Sequence, residues 1–196
     1  MTLPIELLID DDVNSTLEVD NVALVDRPAI EVNWFAFADQ VADMNFTEVN
    51  DEQRVVFGPA MIPGKVIPRV DEETGKQYSV VFSRETVAKC ALKFFQKNFQ
   101  HNSNKQHDPN QPVKDIVFFQ SFVKDTTKGM IGMNDNHPDG TWYLGAKIND
   151  EATWHEVKSG KYKGFSVEGM FKYKKQKMSA EEAFKKIMEI LNGIEE

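Results

Sequence analysis

The stretch 114–124, KDIVFFQSFVK, constrains the fold more than any other. Its β-branched and aromatic content predicts a strand. Three further segments behave alike. QYSVVF (77–82) has the same composition. TWYLGAKIN (141–149) alternates Trp142, Leu144, Ala146 and Ile148 on one face, and GFSVEGMFKYKK (164–175) alternates Phe165 and Val167. Residues 54–68 add apolar strand material punctuated by Gly58-Pro59 and Pro63-Gly64. Proline at that density predicts edge strands, bulges or a loop rather than a central ladder. The same stretch is expected to pair with 77–82 as a hairpin across the turn DEETGK (71–76).

Elsewhere the pattern is mixed. Residues 1–20 are acidic and weakly patterned. Val22, Leu24, Val32 and Trp34 look like strand residues, broken at Asp26-Arg27-Pro28. Residues 38–53 show no clear element beyond helical turns. Ser83 is a helix cap, followed by a helix-period run to about Phe99 with Val87, Cys90, Ala91, Phe94 and Phe95 on one face. Arg84, Lys89, Lys93 and Lys97 lie on its other face, which reads as solvated. The polar stretches 101–112 and 126–140 read as loops. Residues 150–161 fit a short helix with Asp150 as cap and Gly160 as stop. The end of the chain, 176–196, has a helical pattern beginning at Ser179.

No βαβ rhythm appears, so a parallel sheet is not expected. The expected fold is α+β, mainly antiparallel, as a bent sheet or small β-barrel with flanking helices. The expected division is a main domain over 1–175 and a helical tail over 176–196.

Length and composition bound the rest. A chain of 196 residues that is 41% hydrophobic can bury an ordinary core. The net charge of −8, from 23 basic and 31 acidic residues, argues against a general nucleic-acid surface. No apolar run is long enough to span a bilayer, and MTLPIELLIDDD lacks the features of a secretory signal. The expectation is a protein of the cytoplasm, with no membrane or direct nucleic-acid partner. Cys90 is the one cysteine, so no intrachain disulfide can form.

The chemistry-bearing residues are few. His101, His107, His137 and His155 make no helical i, i+4 pair with one another and have no cysteine partner, so no metal site is expected. The glycines form no phosphate-binding loop, and no cofactor is implied. Nucleophilic catalysis remains. Ser166 lies between Gly164 and Gly169, which permit close backbone approach. This is not the G-x-S-x-G elbow. His107 lies in the polar stretch NKQHD just before the strand at 114–124. Local pattern alone leaves both residues open to ordinary structural roles.

Seven segments, in order, resemble the prohead maturation proteases of tailed phages, in the branch of XkdF-like phage serine proteases. They are VALVDRPAI (22–30), FGPAMIPGKVIPR (57–69), YSVVFSRETV (78–87), NKQHD (104–108), IVFFQSFV (116–123), GTWYLGAKIND (140–150) and VKSGKYKGFSVEGMF (157–171). The branch is more distantly similar to the herpesvirus assemblins. The resemblance implies an assemblin-like fold and a serine endopeptidase enclosed in the immature capsid, in the host cytoplasm. It would cut scaffold and major capsid proteins, and itself, and it allows a homodimer.

By this resemblance Ser166 is the nucleophile and His107 the general base, with His101 as the rival base. The third member is open. Assemblins use a histidine after the serine, and no histidine follows Ser166 here. Related phage enzymes carry a carboxylate where this chain has Gln120. Gln120, Asp108 and Asp115 are the candidates, with Asp26 and Glu168 as further acids and a bare dyad as the remaining option. Gln120 also keeps open an impaired enzyme serving as a capsid-assembly or scaffolding protein. Ile194-Glu195-Glu196 resembles the Leu/Ile-x-Glu sites that myophage relatives cut, as does Ile187-Met188-Glu189. It reads equally as the end of a helix.

Overall fold

The computed structural model describes residues 3–27, 45–51, 53–71, 74–131 and 136–175. Twelve strands and two α-helices lie among them. The strands are β1 (Ile5–Leu8), β2 (Val19–Val25), β3 (Glu48–Asn50), β4 (Val55–Met61), β5 (Ile67–Val70), β6 (Gln77–Phe82), β7 (Asn104–Lys105), β8 (Asp108–Pro112), β9 (Ile116–Val123), β10 (Trp142–Ile148), β11 (Gly164–Gly169) and β12 (Lys172–Lys175). The helices are α1 (Arg84–Gln96) and α2 (Glu151–Lys158).

The fold is α+β, and its sheets are open rather than closed into a barrel. Three four-stranded sheets have the orders β12-β1-β6-β5, β3-β4-β10-β9 and β11-β2-β7-β8. Most pairs are antiparallel, but β1 pairs β6 and β2 pairs β7 in parallel. Both parallel pairs join strands far apart in sequence, so no local βαβ unit announces them.

The apolar residues expected to line one face are buried, but in β10 Tyr143 and Gly145 of the other face are buried too. Trp142, Leu144, Ala146 and Ile148 of β10, Ile116 and Phe118 of β9, and Leu24 and Phe165 are all buried together. Phe94 links α1 to this core through edge-to-face contacts with Phe118 and Trp142. The cap of α1 is as expected, with Ser83 Oγ accepting from Thr86 N at 3.3 Å. Asp150 caps α2, accepting from Thr153 N at 2.8 Å, and Gly160 follows at φ +77°.

Several expectations are corrected. The predicted hairpin between 54–68 and 77–82 involves β5 alone, while β4 pairs with β3 and β10. Despite Pro59, β4 is an interior strand. β3 reaches only Val55–Phe57, and the β10 register shifts beside Tyr143, the partner of Pro59. The missing N–H therefore falls where the ladder is already interrupted. The stretch 101–112 is not a loop but contains the hairpin β7–β8. β1 and β3 arise in segments with no clear pattern. GFSVEGMFKYKK divides into β11 and β12.

The cationic side of α1 is solvated only in part: Arg84 is exposed, but the three lysines are engaged. Lys93 is only 4% exposed, and its Nζ donates to the carbonyls of Asp12 (2.7 Å) and Leu17 (3.1 Å). Lys97 pairs with buried Glu18 at 2.6 Å, and Lys89 pairs with Asp11 and Glu85. The face holds down the segment between β1 and β2. Val32, Trp34 and the helical tail over 176–196 lie outside the described residues.

Candidate active site

Ser166 stands in the middle of β11 and is buried. β11 pairs antiparallel with β2, with Ser166 opposite Ala23 and Glu168 opposite Asn21. Residues two apart on a strand share a face about 6.6 Å apart, so Ser166 and Glu168 project to the same side. Phe165 projects to the opposite side, into the core.

His107 reaches this sheet from the β7–β8 hairpin. Lys105 pairs with Asp108, leaving Gln106 and His107 as a two-residue turn. Both have positive φ, 56° and 60°, as the I′ hairpin geometry requires. Non-glycine residues adopt that conformation at a cost, with histidine among the more tolerant. The turn is tied to β2 by Gln106 N donating to Leu24 O (3.0 Å) and Asp26 N donating to Gln106 Oε1 (3.2 Å).

The carboxylate facing His107 is that of Glu168. His107 Nδ1 lies 3.0 Å from Glu168 Oε1. The same oxygen accepts from Asn21 Nδ2 at 2.6 Å and from Asn104 Nδ2 at 2.8 Å. Burial pushes the Glu168 carboxyl upward. The bonds from His107, Asn104 and Asn21 outweigh it and hold the group below its ordinary value. The approach sets the negative charge of Glu168 beside the His107 ring.

The other acids and amides named from the sequence are engaged elsewhere. Gln120 is exposed on β9, in a different sheet, packed over Gly145. Asp108 accepts from Asn110 N, Asn110 Nδ2 and Gln111 Nε2 at the start of β8. Asp115 accepts from Asn149 Nδ2 at 3.1 Å. The backbone N–H of Asp26 donates to Gln106 Oε1. His101 Nδ1 lies 3.0 Å from the Ile116 carbonyl. Cys90 is fully buried in α1, and burial pushes its thiol up to about 12, so it is not a nucleophile at neutral pH.

A cavity of about 360 Å³ opens beside β11. Ser166 and Glu168 line it together with Met61, Ile67, Phe82 and Phe171, and Lys65 and Arg69 add positive charge. Among the described residues, no group of three or more His, Cys, Asp or Glu side chains could hold a metal ion. No helix among them is long and apolar enough to cross a membrane.

In the sequence Glu168 is one acid among several. The signal that singles it out is its spacing of two from Ser166, which places both on one face of a strand.

The family described as "Putative phage serine protease XkdF" matches residues 43–174. No curated protein and no solved structure matches. β1 and β2 precede the matched residues, yet β2 supplies Asn21 and lies between β11 and β7, so the folded unit is larger than the match. With two thirds of its length matched, the chain belongs to this family.

Proposed function

We propose that the chain is a serine endopeptidase of prohead maturation, with Ser166 as nucleophile, His107 as general base and Glu168 as the carboxylate that orients and stabilises the imidazole. The observation that carries this reading is the 3.0 Å approach of His107 Nδ1 to Glu168, two residues along β11 from Ser166.

In the proposed reaction His107 Nε2 takes the Ser166 hydroxyl proton as Oγ attacks the scissile carbonyl. Glu168 stabilises the imidazolium that forms. His107 then returns the proton to the leaving amine, and water repeats the sequence to release the acyl group. Backbone N–H groups beside Ser166 are the candidates for stabilising the oxyanion. The 360 Å³ cavity would take a substrate side chain against its apolar wall.

The substrates in this reading are phage scaffold and major capsid proteins, and the chain itself, processed in the immature capsid within the host cytoplasm. A carboxylate already at His107 favours an enzyme over a capsid-assembly protein without catalysis, for which Gln120 was the ground. The test is co-expression with the scaffold and capsid proteins. Shortened products should appear with the wild type and vanish with Ser166→Ala and His107→Ala. Unchanged processing by Ser166→Ala would refute the proposal.

A further inference from the structure

The environment of Glu168 is built from three neighbouring strands. Glu168 itself is on β11, its register partner Asn21 is on β2, and Asn104 is on β7. Both amides donate to the oxygen that faces His107, at 2.6 Å and 2.8 Å. Asn104 is 7% exposed, and the bond from its Nδ2 to Glu168 is therefore made largely out of solvent.

We infer that Asn21 and Asn104 are positioning residues, which clamp Glu168 Oε1 so that it fixes the ring orientation and tautomer of His107. This rests on the catalytic reading above.

The physical reason is geometric. A glutamate side chain has three rotatable bonds, and a single contact to an imidazole would leave it mobile. Two amide donors on one oxygen remove that freedom and hold the negative charge on the imidazole's side. Asn104 lies three residues before His107 across the tight turn, so the same hairpin delivers both the clamp and the base. Another charge reaches the site. Asp20 on β2 and Glu168 repel one another as like charges. Asp20 is not hydrogen-bonded to the Glu168 carboxylate, whereas both asparagines are.

The test uses the full chain, with Asn21→Ala, Asn104→Ala and the double variant compared by cleavage kinetics and by the rate of Ser166 labelling with a fluorophosphonate probe. Each single variant should lower kcat by about tenfold or more while KM stays within about twofold, since the amides act through His107 and do not touch substrate. The double variant should lose less than the product of the two, because both amides act on one oxygen. Asn104→Asp puts a second carboxylate against the first, and should move the acid limb of the kcat/KM profile to higher pH. A change in folding stability alone, with kcat and the pH profile unmoved, would overturn the clamp. So would independent, multiplicative losses. Where Asn104→Asp does not fold, Asn21→Asp supplies the same profile. Processing that survives Ser166→Ala defeats the catalytic reading itself. Processing abolished by Ser166→Ala but kinetically normal in the asparagine variants defeats only the clamp.

Discussion

Glu168 Oε1 lies 3.0 Å from His107 Nδ1, joining the strand that carries Ser166 to a hairpin about sixty residues earlier in the chain. Glu168→Gln keeps the shape but offers the ring an amide that can present either oxygen or NH₂. The wrong tautomer then becomes accessible. We expect kcat to fall by about 10²–10⁴-fold with little change in KM, measured by cleavage of a scaffold or capsid substrate. Activity within twofold of wild type would remove Glu168 from the site.

The same contact makes stability depend on pH. Burial raises the Glu168 carboxyl, but the bonds from His107, Asn104 and Asn21 bring it below its ordinary value of 4.5. A depressed carboxyl stabilises the fold above its unfolded value and loses that contribution as pH falls through the folded one. The stability difference between wild type and Glu168→Gln should therefore be full above about pH 5 and shrink below about pH 4.5. Denaturant melts across pH 3–7 measure it. A pH-independent difference would contradict the assignment of these bonds to the ionised form.

Gly169 closes β11 where its register against β2 shifts. A Cβ there would run into the Glu18 carbonyl, with Val19 Cα also within 2.8 Å. Backbone cannot move aside as a side chain can. Gly169→Ala should destabilise the protein by several kcal/mol and impair the site through the adjacent Glu168. Thermal unfolding tests this, and a wild-type Tm would contradict it.

Lys93 is a buried cation held by two carbonyls, with Glu18 3.8 Å away. Lys93→Ala leaves those two carbonyls without their donor, while Glu18 keeps Lys97, and should cost about 1–3 kcal/mol. The segment 10–18 should then become susceptible to limited proteolysis before the rest of the chain. Unchanged proteolysis would show that Lys93 does not hold it.

Local pattern carried much of the fold. β6, β9 and β10 are legible from their β-branched and aromatic content, although β10 is buried on both faces. α1 and α2 are legible because Ser83 and Asp150 cap runs with helical periodicity. The β7–β8 hairpin was not. It is polar, contains Pro109 and Pro112, and turns on Gln106-His107 instead of a glycine-bearing pair, so tertiary pairing with β2 decides it. Lys93 misled for a related reason. A lysine on the polar side of a helix looks solvated until a distant segment supplies carbonyls for it. At the site, Ser166 and His107 came from ordered resemblance, not from their own surroundings. Glu168 depends on the register of β11 against β2 and on the hairpin beyond, which is non-local information. Gln120 drew attention because related enzymes carry a carboxylate there, but its strand belongs to another sheet.

The most direct measurement is processing of scaffold and capsid proteins co-expressed with the wild type, Ser166→Ala, His107→Ala or Glu168→Gln, read by mass spectrometry of the products. We expect defined shortened products with the wild type, none with Ser166→Ala or His107→Ala, and a small residue of cleavage with Glu168→Gln. Identical products from Ser166→Ala and wild type would contradict the proposed mechanism at its centre.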